Sequence, residues 1–506
     1  TLHHLKQQAV QVLSLSPLQT AHVNELIADT LHLPREQCLD LAQLCWQKTQ
    51  GNPFFLNQFL HSIHELGLIR FNFESDAWVW DSAQLINADF TDNVVDLMVA
   101  KIRRLPENSQ RLLQLAASIG NCVDLSILAT VFEHSAYQTQ QMLWPALQSD
   151  LIRPLDQQYK YLCDDDTPPL ITYRFLHDRV QQAAYALADD EQRQQQHLRI
   201  GRLLLSHRQQ SVSVAELGRS EDQIFAIVEQ FNAGRAALSN PLERIAVAHL
   251  NLQAGLKART SAAYQAAYRH MQMGLALLPA DAYCAQLRLD LHIGAAECAY
   301  LSGDFAAATA IYPQALQLCN GVLDRIRCYT VQLSQYQLEG RFLEAIDIAR
   351  LGLQLLGIEI SEHDEAMQAE LAQGFALIEN LTADCSLDDL MQAQRMNSPE
   401  QLAAMQLLYS MWYASYLAGL SLLNALTTIA MTRLSLQAGT CNISAFAFVN
   451  YAFIVAYLRQ QYDVGARFGH AAIALANAQP SLSIRASTHF LYATFTNHWQ
   501  QPLASS

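Results

Sequence analysis

The 506-residue sequence is poor in charge, and positive charge is the scarcer sign. Lys and Arg number 32 against 47 Asp and Glu, and charged residues make up only 16% of the chain. The formal net charge of −15 disfavours non-specific nucleic-acid binding, which needs clustered cations to neutralise phosphates. Gly and Pro are also sparse, at 19 and 14 residues, which excludes a low-complexity or disordered chain. With 51% apolar residues, a chain of this length predicts two to four well-packed domains.

Closely spaced cysteine pairs are missing as well. The ten cysteines are scattered singly between Cys38 and Cys441, and no C-x-x-C occurs. This pattern is typical of a reducing cytosol, in which cysteines act as small apolar fillers, so we expect a cytoplasmic location. No secretory leader is expected. Because the sequence begins at Thr1 and not at Met, we expect it to be an excerpt from a longer protein.

Motifs for nucleotide binding and catalysis are absent from the sequence. There is no G-x-x-x-x-G-K-[ST], no G-x-G-x-x-G after a strand and no arguable Ser-His-Asp or Cys-His arrangement. Without a backbone cradle and its lysine, the chain alone is not expected to bind a triphosphate tightly or to hydrolyse it. Asp164 to Asp166 lack further ligands at coordination spacing and are predicted to lie in a solvated loop. We therefore expect no catalytic residue, no metal ion and no independent enzyme.

Two long uncharged runs, residues 401–432 and 443–458, raise the question of a membrane span. The first is long enough to cross a bilayer. However, it contains Gln401, Gln406 and Asn424, and its large residues recur at helical spacing with small ones between them. Buried helices of a repeat array explain both runs better, so no membrane span is expected.

A junction between two short helices is well defined within the first 66 residues. Gly51 suits a left-handed position after a helix, Asn52 can cap the next helix, and Pro53 fits its first position. The stretches LIRF and WVW, on either side of the polar NFESDA, predict a β-hairpin within residues 68–80. A buried apolar stripe is predicted at Phe54, Phe55, Phe59, Leu60 and Ile63.

Between Thr91 and about Tyr185 the pattern is that of a winged helix. The predicted elements are helices 94–102, 109–119 and 138–147 and strands 151–155 and 171–176. Three helices followed by a two-stranded wing describe a winged-helix domain. Its candidate recognition segment, residues 135–150, carries no Lys or Arg, so no nucleic-acid partner is expected.

After about Glu191 the chain is predicted to be almost entirely helical, with an internal repeat. A large apolar residue is followed by a small residue three positions later and another ten positions later. The copies are Tyr264–Ala267–Gly274, Phe305–Ala308–Ala315, Phe342–Ala345–Gly352, a degenerate Leu422–Ala425–Thr432, and Tyr462–Gly465–Ala472. Gly303 and Gly340 precede two of them, which is typical of helical hairpins resembling tetratricopeptide (TPR) repeats. We expect the hairpins to stack into a solenoid, with an irregular insertion at 359–399.

Two strings carry a family resemblance. KTQGNPFFL at 48–56 is similar to the lid motif of signal-transduction ATPases with numerous domains (STAND), and YRFLHDRVQQAAY at 173–185, with His197 and IGRLL at 200–204, resembles their winged-helix end. The arrangement resembles large bacterial sensor kinases, in which a serine/threonine kinase domain precedes the ATPase and two-component histidine-kinase domains follow. The predicted fold is mainly α, in four parts: a helical ATPase lid at 1–66, a β-hairpin plus winged helix at 67–187, linking helices at 188–245, and a TPR-like α-solenoid at 246–506.

The resemblance implies ATP or ADP as the ligand, bound mainly by a P-loop domain upstream of this sequence. Gly51, Asn52 and Pro53 match the lid turn whose proline lies near the adenine. His177 matches a histidine that faces a phosphate, and its ring N–H could donate to a phosphate oxygen. A structural role stays open at the same positions, because Asn52 and Pro53 also explain a helix start and Asp178 an N-cap or first-turn acid.

The function implied by the resemblance is that of the regulatory and interaction region of a multi-domain signal-transduction kinase. Its partners would be the upstream P-loop domain and flanking kinase domains of the same chain, and a protein bound by the solenoid. Two other functions stay open. One is a free-standing TPR-type adaptor that needs no nucleotide, and the other is part of a STAND transcription activator, which would require a basic helix-turn-helix beyond Ser506.

Overall fold

The computed structural model describes residues 15–74, 76–87, 93–161, 171–210, 223–279, 284–383, 394–478 and 481–497. The described chain is mainly α-helical, as predicted. It divides into two compact units, unit 1 at Thr1–Ser239 and unit 2 at Asn240–Ser506. The loop predicted at Asp164 to Asp166 lies outside the described residues.

Unit 1 combines helices with two small antiparallel sheets. Its helices and strands are α1 (Thr20–Leu31), α2 (Leu39–Thr49), α3 (Pro53–Glu65), β1 (Ile69–Asn72), β2 (Ala77–Trp80), α4 (Ser82–Asn87), α5 (Val94–Arg103), α6 (Glu107–Ile119), β3 (Cys122–Asp124), α7 (Leu125–Phe132), α8 (Ala136–Gln148), β4 (Ile152–Pro154), β5 (Thr172–Phe175), α9 (Asp178–Ala186), α10 (Asp190–Gln210) and α11 (Gln223–Ala233). Strands β1 and β2 pair from Ile69 opposite Trp80 to Asn72 opposite Ala77, which confirms the predicted hairpin.

The second sheet contains a strand that was not predicted. Its order is β3-β5-β4, with β5 in the centre and both neighbours antiparallel to it. The predicted two-stranded wing is therefore three-stranded in the structure. The sequence signal was weak because β3 has only three residues and runs directly into α7, a short helix whose sequence LSILATVF is mostly apolar.

One face of this sheet is buried and the other is exposed to solvent. Val123, Ile152, Tyr173 and Phe175 point into the core of unit 1 and are at most 4% exposed. Since side chains alternate along a strand, the residues between them lie on the opposite face.

Helices α9, α10 and α11 pack onto the same core through a buried polar chain. The Tyr185 hydroxyl is 3.0 Å from His197 Nε2, and His197 Nδ1 is 2.7 Å from Gln230 Oε1. Gln230 Nε2 in turn donates to the Ser118 carbonyl at the end of α6, at 3.0 Å. Residues predicted as linking helices thus contribute their side chains to the interior of unit 1.

Unit 2 is a series of helical hairpins. Its helices are α12 (Pro241–Thr260), α13 (Tyr264–Leu277), α14 (Ala285–Leu301), α15 (Phe305–Leu318), α16 (Val322–Leu338), α17 (Phe342–Leu355), α18 (Asp364–Thr382), α19 (Pro399–Leu417), α20 (Ser421–Ala438), α21 (Ser444–Arg459), α22 (Tyr462–Asn477) and α23 (Leu482–Leu491). The first helix begins at Pro241, before the predicted start of the repeats at residue 246.

The repeat register marks the second helix of each hairpin. Tyr264, Phe305, Phe342 and Tyr462 are the first residues of α13, α15, α17 and α22, and Leu422 is the second residue of α20. All ten small residues of the register are buried. At Gly274 and Gly352 a Cβ would lie 2.8 and 2.7 Å from side-chain atoms of the neighbouring helices. Both of these contacts are with a helix of the next hairpin. Within a hairpin, where the register predicts close approach, a Cβ on Gly465 would lie 2.9 Å from the carbonyl oxygen of Ala452 on α21.

The segment predicted as an irregular insertion contains a helix instead. Helix α18 buries Met367, Phe375 and Ile378 in the main apolar core of unit 2. Within the predicted range 359–399, residues 364–382 are thus helical, whereas the described residues 394–398 are not. Residues 384–393 lie outside the described part of the chain.

The uncharged runs at 401–432 and 443–458 form helices α19 to α21. Met405, Leu408, Ala447 and Phe448 are completely buried within unit 2. Over the residues that the structure describes, none of the helices combines the length and apolar character that crossing a bilayer requires.

Candidate functional site

The turn between α2 and α3 has a position that only glycine fits. Gln50 and Gly51 have φ values of 51° and 71°, so both adopt the left-handed conformation. A Cβ on Gly51 would lie 2.9 Å from the carbonyl carbon of Leu18 and closer still to its oxygen. The Leu18 N–H donates to the Gly51 carbonyl at 2.8 Å. Gly51 is therefore required both by its backbone conformation and by the close approach of a second chain segment.

Asn52 and Pro53 begin helix α3 as predicted. Asn52 Oδ1 accepts the N–H of Phe55 at 3.0 Å, and Pro53 is the first helical residue. The side chains of Asn52 and Pro53 are exposed. Their structural role is thus accounted for, and the role of Gly51, Asn52 and Pro53 in contacting a nucleotide stays a prediction.

His177 is the N-cap of helix α9. It follows strand β5 in an extended conformation, and its Nδ1 accepts the N–H of Arg179 at 3.1 Å. Because Nδ1 is the acceptor, the proton of the neutral ring lies on Nε2. The first-turn acid is Asp178, whose Oδ1 accepts from Asn121 Nδ2 at 3.0 Å. His177 thus keeps one N–H donor on an exposed ring.

The structure brings the proline turn and His177 together. Phe54, which follows Pro53, stacks on the His177 ring with a centroid distance of 4.1 Å and an interplanar angle of 15°. Phe54 was predicted to be buried in the stripe of α3, but it is only partly buried, whereas Phe55 and Phe59 fill the core. The first turns of α3 and α9 consequently adjoin, and the N-termini of both helices carry partial positive charge.

An open cavity of about 260 Å³ lies beside His177. Arg153 of β4, Arg174 of β5, Asn121, His177 and Asp178 contribute to its lining. Arg153 and Arg174 face each other across the two strands on the solvent side of the sheet. Guanidinium groups, a ring N–H and a helix N-terminus together suit a phosphate group.

Sequence reasoning missed the two arginines. The available signal was their position within the predicted strands, at the third residue of LIRPL and the fourth of ITYRFL. Strand periodicity alone puts each arginine on an outward face, but it does not tell which residue lies opposite which. Only the pairing of β4 with β5 reveals that the arginines are direct neighbours.

No protein-family model matches the chain. The chain is similar to hybrid signal transduction histidine kinase G of Dictyostelium discoideum, with 28% identity over 388 residues that cover 68% of this chain and 11% of that protein. It thus spans only a small part of this curated relative. Among solved structures it is similar to a Signal Transduction ATPase with Numerous Domains protein with a tetratricopeptide repeat sensor from Pyrococcus horikoshii. That similarity has a TM-score of 0.40 and 12% identity, and covers 96% of this chain and 58% of the other.

Proposed function

We propose that this chain is the regulatory and interaction region of a multi-domain signal-transduction kinase of the STAND kind. Unit 1 would supply the lid and winged helix of a nucleotide-dependent switch, and unit 2 the sensor that binds a protein partner. ATP or ADP would be held mainly by a P-loop domain before Thr1, and flanking kinase domains would produce the output. The sequence similarity to a signal-transduction histidine kinase supports the signalling context, and we infer a cytoplasmic location.

The contact between Phe54 and His177 carries this proposal. A switch needs elements that a ligand can hold together in one state and release in the other. The Phe54 ring belongs to the proline turn and the His177 ring to the start of α9, so their 4.1 Å stack is a direct link between the two predicted nucleotide contacts. A ligand that engages the Nε2–H of His177 would therefore also favour one position of the turn.

A bound nucleotide would bring a negatively charged phosphate chain and an apolar base to this region. From this chain, His177 would donate its Nε2–H to a phosphate oxygen, and Pro53 would pack near the base. Nδ1 of His177 is already engaged with the Arg179 N–H, which fixes the ring orientation that such a donor needs. Residues of this chain would thus orient and sense the nucleotide, not bind it alone.

The exposed aromatic side chains of unit 2 support a protein partner. Tyr413 and Tyr416 on α19 are 48% and 62% exposed, and Tyr416 stacks on Trp412 with a centroid distance of 5.4 Å. Leu417, in the last turn of the same helix, and Leu420, just beyond it, are also exposed. Tyrosine and tryptophan are enriched among the residues that contribute most to protein–protein binding. This surface would equally serve a free-standing adaptor, so it does not depend on the nucleotide switch.

The test uses the longer protein that includes the residues before Thr1. We expect it to retain ADP, and we expect Phe54→Ala and His177→Ala each to speed ADP release by about tenfold, the effect of losing about 1.4 kcal/mol. Phe73, at 88% exposure, offers a control, because Phe73→Ala removes a ring of the same unit that contacts Phe71 in the β1–β2 hairpin. Release would be followed with a fluorescent ADP analogue.

Unchanged release in both variants would contradict the switch. A longer protein without a P-loop before residue 1, or one that binds no nucleotide, would favour the adaptor. A basic helix-turn-helix after Ser506 would favour the transcription activator.

A further inference from the structure

The solvent face of the second sheet in unit 1 holds two arginines in direct opposition. Arg153 of β4 and Arg174 of β5 are Cα partners in the antiparallel register. Directly opposite residues of an antiparallel pair share one face, with Cβ atoms about 4.5–5.5 Å apart. Both arginines line the cavity beside His177. The fold therefore keeps two positive side chains together at one edge of this cavity.

Neither arginine has an ion-pair partner among the residues that the structure describes. Two nearby carboxylates accept hydrogen bonds from neutral side chains. Asp178 accepts from Asn121 Nδ2 at 3.0 Å, and Asp124, on the same face of the sheet, accepts from Thr172 Oγ1 at 2.5 Å. Like charges placed directly opposite each other destabilise a strand pair. The two arginines would therefore repel each other unless a negative group lies between them.

We propose that Arg153 and Arg174 bind a phosphate group. The inference rests on the proposed function in one respect, the source of the phosphate group, which would be the phosphate chain of a nucleotide. Free phosphate could make the same contacts with the two arginines. The planar guanidinium groups can each offer two N–H donors to phosphate oxygens. The Asp178 carboxylate also lines the cavity and accepts from Asn121 Nδ2. Its negative charge offsets the partial positive charge at the start of α9, so the two guanidinium groups supply the attraction for phosphate. A bound dianion would relieve the repulsion between the two arginines.

The binding test uses the 506-residue chain and inorganic pyrophosphate as the probe. We expect a saturable rise in melting temperature with pyrophosphate, measured at constant ionic strength, and a matching heat signal on titration. The double variant Arg153→Gln with Arg174→Gln should weaken pyrophosphate binding by at least about tenfold, because two charge-assisted contacts are lost. The Arg153→Lys with Arg174→Lys variant should retain part of the affinity, since charge is kept and the bidentate fork is lost.

Arg70 provides the matched control. It is an exposed arginine on strand β1 and lies opposite Val79 instead of a second arginine. The Arg70→Gln variant should bind pyrophosphate like the unaltered chain. Without ligand, the double glutamine variant should melt at the same temperature as the unaltered chain or higher, because repulsion is removed.

Three results would overturn the inference. These are the absence of saturable binding to the unaltered chain, equal binding by the double glutamine variant, and a clear loss of thermal stability in that variant without ligand. The last result would mean that the arginines already pair with a carboxylate of the chain.

Parallel titrations of the longer protein, which includes the residues before Thr1, with ADP and with pyrophosphate identify the source of the phosphate. ADP binding tighter than pyrophosphate, and weakened by the arginine substitutions, supports a nucleotide. Equal affinities support a site for free phosphate. The two proposals fail separately, because pyrophosphate binding is measured on the 506-residue chain and ADP release on the longer protein. Conversely, arginine-independent binding would overturn this inference while leaving the effect of Phe54→Ala on ADP release untouched.

Discussion

Units 1 and 2 both place a left-handed residue in the turn that joins two helices, but the surroundings of that residue differ. In unit 2 the residue two positions before the second helix of each hairpin has positive φ, and it is Ala262, Gly303, Gly340, Gly419 or Gln460. A Cβ on any of its three glycines would meet no atom within 4 Å. In unit 1 a Cβ on Gly51 would collide with the backbone of Leu18. In unit 2 the left-handed residue is thus required only by the local turn. In unit 1 the left-handed residue must also leave room for a distant segment of the chain.

This difference explains why the turns of the repeats accept several residue types. Each turn is closed by a hydrogen bond from the following N–H to a carbonyl near the end of the first helix, such as Asp304 N to Ala299 O at 2.9 Å and Arg341 N to Tyr336 O at 2.8 Å. These bonds involve only the backbone. The turn at Gly51 carries in addition the bond from Leu18 and leads directly to Phe54 and His177.

The largest effect is expected for Gly51→Ala. The substitution adds left-handed strain and a backbone collision, so we expect it to destabilise unit 1 by about 3 kcal/mol or more. Hydrogen exchange of peptides from residues 15–74 would measure the loss. Gly67→Ala is the matched control, because Gly67 also has a positive φ of 70° but open space around it; about 1 kcal/mol is expected there. Equal losses at the two positions would contradict the comparison.

The next largest effect is expected at the small residues of the repeats. Ala308 on α15 is completely buried, so Ala308→Leu overfills a helix contact and should destabilise unit 2 by about 1–3 kcal/mol. Ala310 on the same helix is exposed, and Ala310→Leu should change the stability by less than about 0.5 kcal/mol. Hydrogen exchange over residues 284–338, measured for both variants at increasing denaturant concentration, would check the two stability changes. A small effect at Ala308 would mean that the hairpins pack loosely.

A smaller, pH-dependent effect is expected from two histidines of unit 2. Burial lowers the pKa of His270, and burial together with the nearby charge of Arg288 lowers the pKa of His292. The folded unit therefore binds fewer protons than the unfolded chain once the pH falls below the ordinary value of 6.5. Stability should be full above pH 6.5 and decline as the pH falls from there towards the lowered pKa values.

Urea unfolding at pH 7.5 and pH 5.5 would measure this decline. The His270→Gln and His292→Gln variants should lose less stability between the two pH values than the unaltered chain. His249→Gln, at an exposed position in the same unit, should leave the difference unchanged. An equal loss of stability between the two pH values in all of these variants would show that other titratable groups cause the loss.

The smallest effect is expected at the two turns of unit 2 that lack glycine. Ala262 and Gln460 have φ values of 57° and 55°, and glycine adopts this conformation without strain. Ala262→Gly and Gln460→Gly should each stabilise unit 2 by about 0.5–1 kcal/mol, since the relieved strain exceeds the added chain entropy. Melting temperatures would check the sign. Lower stability in both variants would show that these turns are held by side-chain contacts.

Local sequence by itself determined the helix starts and the repeat. Asn52 and Pro53 define the beginning of α3, and the large–small–small register marks the second helix of five hairpins, because capping and helix packing depend on residues close together in the chain. Tertiary structure decided the rest of the candidate site. The stack of Phe54 on His177 and the opposition of Arg153 to Arg174 join residues from separate elements. The short strand β3 likewise forms only because β5 pairs with it. Contacts of this kind depend on strand register and on which elements pack together, and neither follows from the period of one segment.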